Sequence, residues 1–219
     1  DSDGDVTVNG IGTTLLNADI VTSTDIVQFQ QPVLISGNRL IDTTTAPTLG
    51  SGGAIQFLNT VNGGGNSLTL AAPSGSGDIL FNGAVSNLTG LSITSSRTFV
   101  TAAAASKSLG TGGLNALTSG TMTISGAISS ASNGAITLTN GGLLNVDGNI
   151  AADGAVTQNG AGSVTFGGTG TRSIVTTADD VNFLRAVSLS NPLTIATVGT
   201  GAGTGDVTFQ STLDSATGQ

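Results

Sequence analysis

The sequence contains no cysteine, histidine, tryptophan, tyrosine or glutamate, and its only lysine is Lys107. The absence of cysteine excludes a disulfide framework and a thiolate metal site. General acid–base catalysis usually employs histidine or a carboxylate of adjusted pKa, and aspartate is the only carboxylate in this chain. These absences predict a protein that is not an enzyme and carries no resident organic cofactor.

Charge is also scarce, because charged residues make up 8% of the 219 residues, against roughly a quarter in an ordinary domain. The formal net charge is −8, which opposes binding to nucleic acid or to an anionic membrane. No apolar run approaches the ~20 residues of a spanning helix, so this segment is predicted to have no membrane span. The hydrophobic fraction of 37% argues against disorder.

The residues that are present form short apolar–polar–apolar triplets, the pattern of a β-strand with one buried face. Thirteen triplets are evident, and many follow a glycine and one small or acidic residue, as at Gly205-Asp206-Val207. The triplets begin at Val6, Val27, Ile55, Leu68, Ile79, Leu91, Met122, Ile136, Leu144, Val164, Val181, Leu193 and Val207. Glycine suits a sharp corner before a strand, so the pattern predicts an all-β fold of short strands and glycine-rich corners.

One phrase of the sequence occurs twice. The segment from Val21 to Thr43 returns 154 residues later as the segment from Val175 to Thr197, with the valine, aspartate and phenylalanine positions retained. A second block, Gly53–Phe57, resembles Gly205–Phe209. Repetition of strand-sized phrases indicates a repeat architecture. Because the interval greatly exceeds one coil, it marks a larger duplicated unit that contains several coils.

Two architectures fit this pattern, a parallel β-helix (β-solenoid) and a β-sandwich array. Asn-Gly pairs, which favour hairpins, support the sandwich; they begin at Asn9, Asn62, Asn82, Asn133, Asn140 and Asn159. The short strands, the low charge and a coil length of about 20 to 28 residues favour the solenoid, with Phe29, Phe57 and Phe81 in equivalent positions of successive coils. We therefore predict a β-solenoid over residues 1–219, a single segment of a longer chain with an irregular insertion near 101–120.

The repeat style resembles a known group of proteins. The phrases Gly205–Phe209, Phe81–Val85 and Val21–Val33 are similar to the degenerate repeats of filamentous-haemagglutinin-like and autotransporter-passenger bacterial surface proteins, including their "β-strand repeat" adhesins. This resemblance implies a right-handed parallel β-helix that is exported and serves as a stalk, adhesin or cell-surface fibre. It implies no catalytic residues. The expected location is extracellular or at the bacterial cell surface.

Two groups of aspartates are candidate sites. The alternating carboxylates Asp1, Asp3 and Asp5, with Gly4 between them, resemble the start of a calcium-binding loop, so these three residues are the predicted calcium ligands. No glutamate follows to complete such a loop. Asp179 and Asp180, near Arg172 and Arg185, are the closest approach to a polysaccharide-cleaving site, but adjacent strand residues point to opposite faces.

The leading functional prediction is a non-catalytic structural segment, either stalk, fibre or sheath, of an exported bacterial surface protein. Its partners would be neighbouring copies or further repeats, stacked end to end, because open coil ends are unpaired strand edges. The alternatives are an adhesin module that binds glycan or a host protein, and a polysaccharide-active β-helix enzyme. The lack of tryptophan and tyrosine removes the usual sugar-stacking platform from the first alternative.

Overall fold

The computed structural model describes residues 4–44, 53–103, 105–198 and 204–215, and within these ranges the protein contains only strands, turns and corners. The strands in chain order are β1 (Val6–Val8), β2 (Thr14–Leu16), β3 (Ile20–Val21), β4 (Val27–Phe29), β5 (Val33–Ile35), β6 (Arg39–Asp42), β7 (Ile55–Phe57), β8 (Val61–Ala71), β9 (Asp78–Phe81), β10 (Val85–Ser95), β11 (Thr98–Thr101), β12 (Lys107–Thr118), β13 (Met122–Ile124), β14 (Ile128–Ser130), β15 (Ile136–Asn140), β16 (Leu144–Val146), β17 (Ile150–Ala152), β18 (Val156–Gln158), β19 (Val164–Phe166), β20 (Arg172–Thr176), β21 (Val181–Phe183), β22 (Val187–Leu189), β23 (Leu193–Ala196), β24 (Val207–Phe209) and β25 (Leu213–Ser215).

The strands stack in parallel on three faces. Face 1 is a ten-stranded ladder in the order β1-β4-β7-β9-β11-β13-β16-β19-β22-β25. Face 2 runs β2-β5-β8-β10-β12-β14-β17-β20-β23, and face 3 runs β3-β6-β8-β10-β12-β15-β18-β21-β24. The three long strands β8, β10 and β12 belong to both faces 2 and 3, because each one bends and continues from one face to the next.

This architecture is a β-solenoid, which confirms the predicted fold class. Val27 pairs with Ile55, 28 positions later, and Leu144 pairs with Val164, 20 positions later, so the coils have the predicted lengths. The alternative of a β-sandwich is wrong, because the strands named above pair only in parallel. Val198 and Thr204 form an isolated antiparallel bridge outside those strands.

The interior is a stack of aliphatic and aromatic side chains. Alternate residues of each strand point inward, and corresponding residues of successive coils lie over one another. Phe29, Phe57 and Phe81 form the predicted column, with ring centroids 5.2 and 4.8 Å apart and nearly parallel planes. Each of these rings is at most 1% exposed, so the column is part of the core.

The Asn-Gly pairs that favoured hairpins lie at corners or within strands. Asn133 has a left-handed backbone (φ 63°) at the corner between β14 and β15, and Asn62-Gly63 lies inside β8. Asparagine and glycine tolerate the left-handed conformation, so they turn the chain between faces as readily as they turn a hairpin. The hairpin interpretation of these pairs is therefore wrong, because the bends join strands on neighbouring faces of the coil and not antiparallel partners.

Residues 101–120, where an irregular insertion was predicted, include β12, which spans two faces of one coil. The pairing of β12 with β10 contains two register shifts, between Val85 and Leu88 and between Leu88 and Gly90. Within β12, Gly113 has a left-handed backbone (φ 58°), and a Cβ there would lie 1.9 Å from the carbonyl oxygen of Ala135. Glycine is therefore required where this strand passes close to the following coil.

The two copies of the duplicated phrase adopt the same local structure on different faces. In the first copy β4, β5 and β6 lie on faces 1, 2 and 3, whereas in the second copy β21, β22 and β23 lie on faces 3, 1 and 2. The turn is conserved, since Thr24 and Ala178 have φ of 67° and 62°. In both turns a buried threonine hydroxyl, of Thr22 or Thr176, donates to the carbonyl of the residue three positions later. The three faces are therefore interchangeable for this phrase.

Candidate functional site

The most unusual buried group of the described chain is the ammonium of Lys107. On face 2, its position in the inward ladder is occupied by valine or isoleucine in the neighbouring coils, with Val85 before it and Ile128 after it. Lys107 is 1% exposed, and its Nζ lies 5.6 Å from the ring centroid of Phe81. The Nζ also donates a hydrogen bond to the carbonyl of Ala105. Burial lowers the pKa of Lys107 from 10.5 to about 8.

A cluster of interior amides lies on face 3, where the strands β15 and β18 end at Asn140 and Gln158. Gln158 Nε2 donates to Asn140 Oδ1 at 2.8 Å and to the carbonyl of Gly162 at 3.1 Å, and Asn140 Nδ2 donates to the carbonyl of Gly142 at 2.6 Å. Gln158 Oε1 is the single buried side-chain nitrogen or oxygen atom without a partner among the residues described. These amides bind the carbonyls of the adjacent corners, so they hold successive coils together from inside.

The predicted calcium ligands fall only partly within the described chain. Asp1 and Asp3 lie outside it, and the calcium site therefore stays a prediction. Asp5 Oδ1 accepts the backbone N–H of Ile26 at 2.9 Å, a bond to the following coil. Within the ranges given above, no group of three or more histidine, cysteine, aspartate or glutamate residues could hold a metal ion.

Asp179, Asp180, Arg172 and Arg185 do not come together as one cluster. Asp180 Oδ1 accepts the backbone N–H of Asp206 at 2.8 Å in the next coil. The guanidinium of Arg172 donates to the carbonyl of Asp147, and Arg185 Nε donates to the carbonyl of Gly160 at 3.1 Å. Each of these three side chains thus binds the backbone of an adjacent coil. The two ion pairs found among described residues involve other groups, Arg39 with Asp19 and Arg97 with Asp78.

Hydrogen bonds between a corner side chain and the backbone of a neighbouring coil recur along the solenoid. Five aspartate or asparagine residues use Oδ1 to accept a backbone N–H of the following coil, at 2.8 to 3.1 Å; the pairs are Asp5–Ile26, Asp19–Leu40, Asn38–Ser67, Asn149–Ser173 and Asp180–Asp206. Asp25 and Asp153 accept from the preceding coil instead, from Gly4 and Asn133. The bond from Asn133 is the largest influence that lowers the pKa of Asp153. These five aspartates and two asparagines therefore join neighbouring coils to one another.

Among the described residues, a pair of shallow depressions lies on the lateral surface at the corner between faces 2 and 3. The larger, about 500 Å³, is lined by uncharged groups that include the side chains of Asn62, Asn87, Thr89 and Ser108. Asn87 has a left-handed backbone (φ 55°), and its Nδ2 donates to Asn62 Oδ1 at 3.2 Å. The smaller, about 310 Å³, continues along the same corner and includes Asp153. Amides and hydroxyls at this corner could bind a neutral polar ligand.

The first and last described coils are less buried than the coils between them. Among the strands that the structure describes, β1, β2 and β3 each pair with one strand, and so do β23, β24 and β25. Two inward-ladder residues of the last coil, Val207 and Leu213, are 44% and 50% exposed. Val6 and Val8 of the first coil are partly buried.

The local sequence gives little sign of the roles of these residues, and Lys107 is notable there only as the sole lysine. Its alternation with Leu109 across Ser108 was the signal that could have placed it inward, because residues two apart in a strand share a face. The bonds of the corner aspartates had no signal in the local sequence, since each partner is 20 or more residues away.

The fold places the chain in the class of β-solenoid repeat proteins. The chain matches no protein-family model, no curated protein and no solved structure. In the residues described there is no helix of the length and apolarity needed to cross a membrane.

Proposed function

We propose that this chain is a non-catalytic structural segment of an exported bacterial surface protein, in which it acts as a rigid spacer within a stalk, fibre or sheath. The observation that carries the proposal is the continuous ladder of face 1, in which ten strands pair in register from Val6 to Ser215. At the ~4.8 Å spacing of paired strands, this ladder is about 43 Å long. The assignment to a bacterial surface comes from the repeat style of the sequence.

The rigidity of the spacer has three sources in the structure. The inward side chains form a continuous core, from Val6 to Phe209, that no flexible hinge interrupts within the described ranges. Backbone hydrogen bonds link each coil to the next on all three faces. The aspartate and asparagine bonds add links at the corners. Bending the rod would require many of these contacts to open together.

Distances between spin labels would test this proposal, and the absence of cysteine makes labelling simple. Thr7 and Ser188 point outward on face 1 and are eight strands apart, which predicts a narrow distribution near 38 Å at ~4.8 Å per strand. A matched pair at Thr7 and Thr123, five strands apart, should give about 24 Å. Broad distributions, or distances that do not scale with the number of strands, would refute a rigid spacer.

A second candidate function is an adhesin module that binds glycan. The depression lined by Asn62, Asn87, Thr89 and Ser108 favours it, because these groups donate and accept hydrogen bonds without charge. A glycan array probed with the wild-type chain and with the Asn87→Ala variant tests this role. Binding that the variant loses would support the adhesin. An array without binders would remove the candidate and leave the spacer proposal intact.

A further inference from the structure

The two depressions at the corner between faces 2 and 3 continue into each other and form one groove, which we call the corner groove. The larger depression crosses the coils of β8, β10 and β12, and the smaller crosses the next three coils, at β14, β17 and β20. Leu109 of β12 pairs with Ser130 of β14, so the next residues, Gly110 of the larger depression and Ala131 of the smaller, are neighbours in successive coils. At ~4.8 Å per coil, the six coils give the groove a length of about 24 Å along the axis.

The side chains that line the corner groove are small, polar and mostly uncharged. The carboxamides of Asn62 and Asn87 and the hydroxyl of Ser108 are exposed in the larger depression, and the hydroxyl of Thr177 is exposed in the smaller. Carboxamide and hydroxyl groups both donate and accept hydrogen bonds, as the hydroxyls of a sugar do. Of the lining residues, Asp153 carries the only charge and none is aromatic. The lining therefore suits a neutral polyhydroxyl ligand, and its one carboxylate disfavours an anionic ligand.

An extended peptide fits this groove less well than a sugar chain. A peptide that binds to a sheet usually pairs with a free strand edge. The strands β8, β10, β12, β14, β17 and β20 are each paired on both sides, so the groove offers no such edge. The apolar lining residues of the larger depression, Leu88 and Leu109, are 1% and 4% exposed, so they form no pocket for an apolar side chain of a peptide.

The absence of an aromatic ring from the lining determines how a sugar chain would gain affinity. Each sugar unit would be held mainly by hydrogen bonds, and the net contribution of each bond is small because it replaces a bond to water. Affinity must therefore accumulate along the chain, through contacts in both depressions. Since the groove crosses successive coils, a chain that reaches both depressions runs parallel to the solenoid axis.

We propose that the corner groove binds a linear, neutral polysaccharide that lies parallel to the solenoid axis and contacts both depressions at once. Asn87 and Ser108 bind one stretch of the sugar chain, and Ser130 and Thr177 bind the stretch that follows. This inference rests on the second candidate function, glycan binding, and adds the class of glycan, its orientation and the second set of contacts. It does not depend on the spacer role.

Isothermal titration calorimetry with oligosaccharides of increasing length tests the proposal. The probes are neutral homo-oligosaccharides of glucose, of mannose and of N-acetylglucosamine, from the disaccharide to the octasaccharide, with oligogalacturonates as the anionic comparison. For at least one neutral series, affinity should rise more than about tenfold from the shortest oligosaccharide that binds to the length that spans about 24 Å, and then level off. Oligogalacturonates should not bind, because the lining contains a carboxylate and no cation.

The variant Ala131→Phe tests whether one chain occupies both depressions. Ala131 is exposed where the depressions meet, so a phenyl ring there should obstruct the groove without disturbing the core. This variant should keep the affinity for the shortest oligosaccharide and lose the gain with length. Thr177→Ala should weaken only the long oligosaccharides, by about tenfold. Thr165→Ala is the matched control, since Thr165 is an outward threonine of face 1, and it should bind like the wild type.

The outcomes separate this inference from glycan binding in general. Affinity that does not change with length, a gain with length that Ala131→Phe leaves intact, or equal losses in Thr177→Ala and Thr165→Ala would each overturn the groove proposal and leave glycan binding in place. Oligogalacturonates that bind as tightly as neutral chains would overturn the assignment of a neutral ligand. Failure of every series to bind, together with an array without binders, would remove glycan binding and this inference with it, and the spin-label test of the spacer would be unaffected.

Discussion

Replacing Lys107 with methionine should stabilise the protein and remove a pH dependence that no other side chain can supply. The shift of the lysine pKa from 10.5 to about 8 corresponds to about 3 kcal/mol of cost for a charged amine in the core. Methionine has a similar length and no charge. At pH 7 the free energy of unfolding of the Lys107→Met variant should exceed that of the wild type by about 2 kcal/mol. The removed cost of about 3 kcal/mol is partly offset, because the hydrogen bond to the carbonyl of Ala105, which contributes about 1 kcal/mol, is lost.

The direction of the pH effect follows from which state binds the proton. Below pH 8 Lys107 is protonated in both the folded and the unfolded chain, so the folded state carries the full cost. Between pH 8 and 10.5 the folded state releases its proton while the unfolded state retains it, so the free energy of unfolding rises by about 1.4 kcal/mol per pH unit. Above pH 10.5 the cost is absent. The methionine variant should show no such rise.

Urea unfolding of both proteins at several pH values from 7 to 11 measures this difference. The chain has no histidine, cysteine or tyrosine, so Lys107 is the only side chain with an ordinary pKa in that range. The terminal amine is common to both proteins, so its contribution cancels in the difference between their free energies of unfolding. Because Lys107 is the only lysine, its Cε resonance also reports the pKa directly by NMR.

A matched control moves the lysine by one position. Ser108→Lys in the Lys107→Met background places the amine on the outer face of the same strand, since neighbouring strand residues point in opposite directions. This double variant should titrate near 10.5 and unfold without the rise between pH 8 and 10.5. Parallel stability profiles for the wild type and Lys107→Met, or a Lys107 Cε resonance that titrates above pH 10, would refute the burial argument.

Three further substitutions test the core and the corners through the free energy of unfolding. Phe57→Ala, in the middle of the stacked column, should cost about 3–5 kcal/mol, and a loss below about 1 kcal/mol would mean that the rings do not pack as described. Gly113→Ala should cost about 1–3 kcal/mol more than Gly65→Ala. Both glycines have left-handed backbones, but only a Cβ at position 113 would meet a carbonyl oxygen, so equal losses of stability would contradict this contact. Thr176→Val should cost about 1–3 kcal/mol by leaving the Asp179 carbonyl without its hydroxyl donor, whereas the outward Thr137→Val should be nearly neutral.

Much of the fold could be predicted from local patterns. All thirteen triplets lie in strands, and the interior column of Phe29, Phe57 and Phe81 follows from their spacing. A strand needs only alternation, and a corner needs only residues that tolerate a bend, so both are encoded within a few positions. The long strands β8, β10 and β12 were not predicted at full length, because glycines at their bends looked like strand ends.

The candidate sites were harder to predict, because their partners come from other coils. Asp5 looked like part of a calcium loop, and its bond to the N–H of Ile26 depends on how two coils align. Asp179 and Asp180 were the closest approach to a polysaccharide-cleaving site, although strand alternation argued against a carboxylate pair, and Asp180 binds the next coil. Coil alignment is set by the length of every intervening corner, which is not a local property.

By itself the sequence determined the class of fold, the spacing of the coils and the residues able to fill the interior, because alternation and corner chemistry act over a few residues. Only the tertiary structure decided which face each phrase occupies and that the sole lysine lies inside. The duplicated phrase makes the distinction concrete. Its residues determine the turn at Thr24 and Ala178, but its face depends on the strands that precede it, because most strands advance the chain by one side of the coil and β8, β10 and β12 each advance it by two.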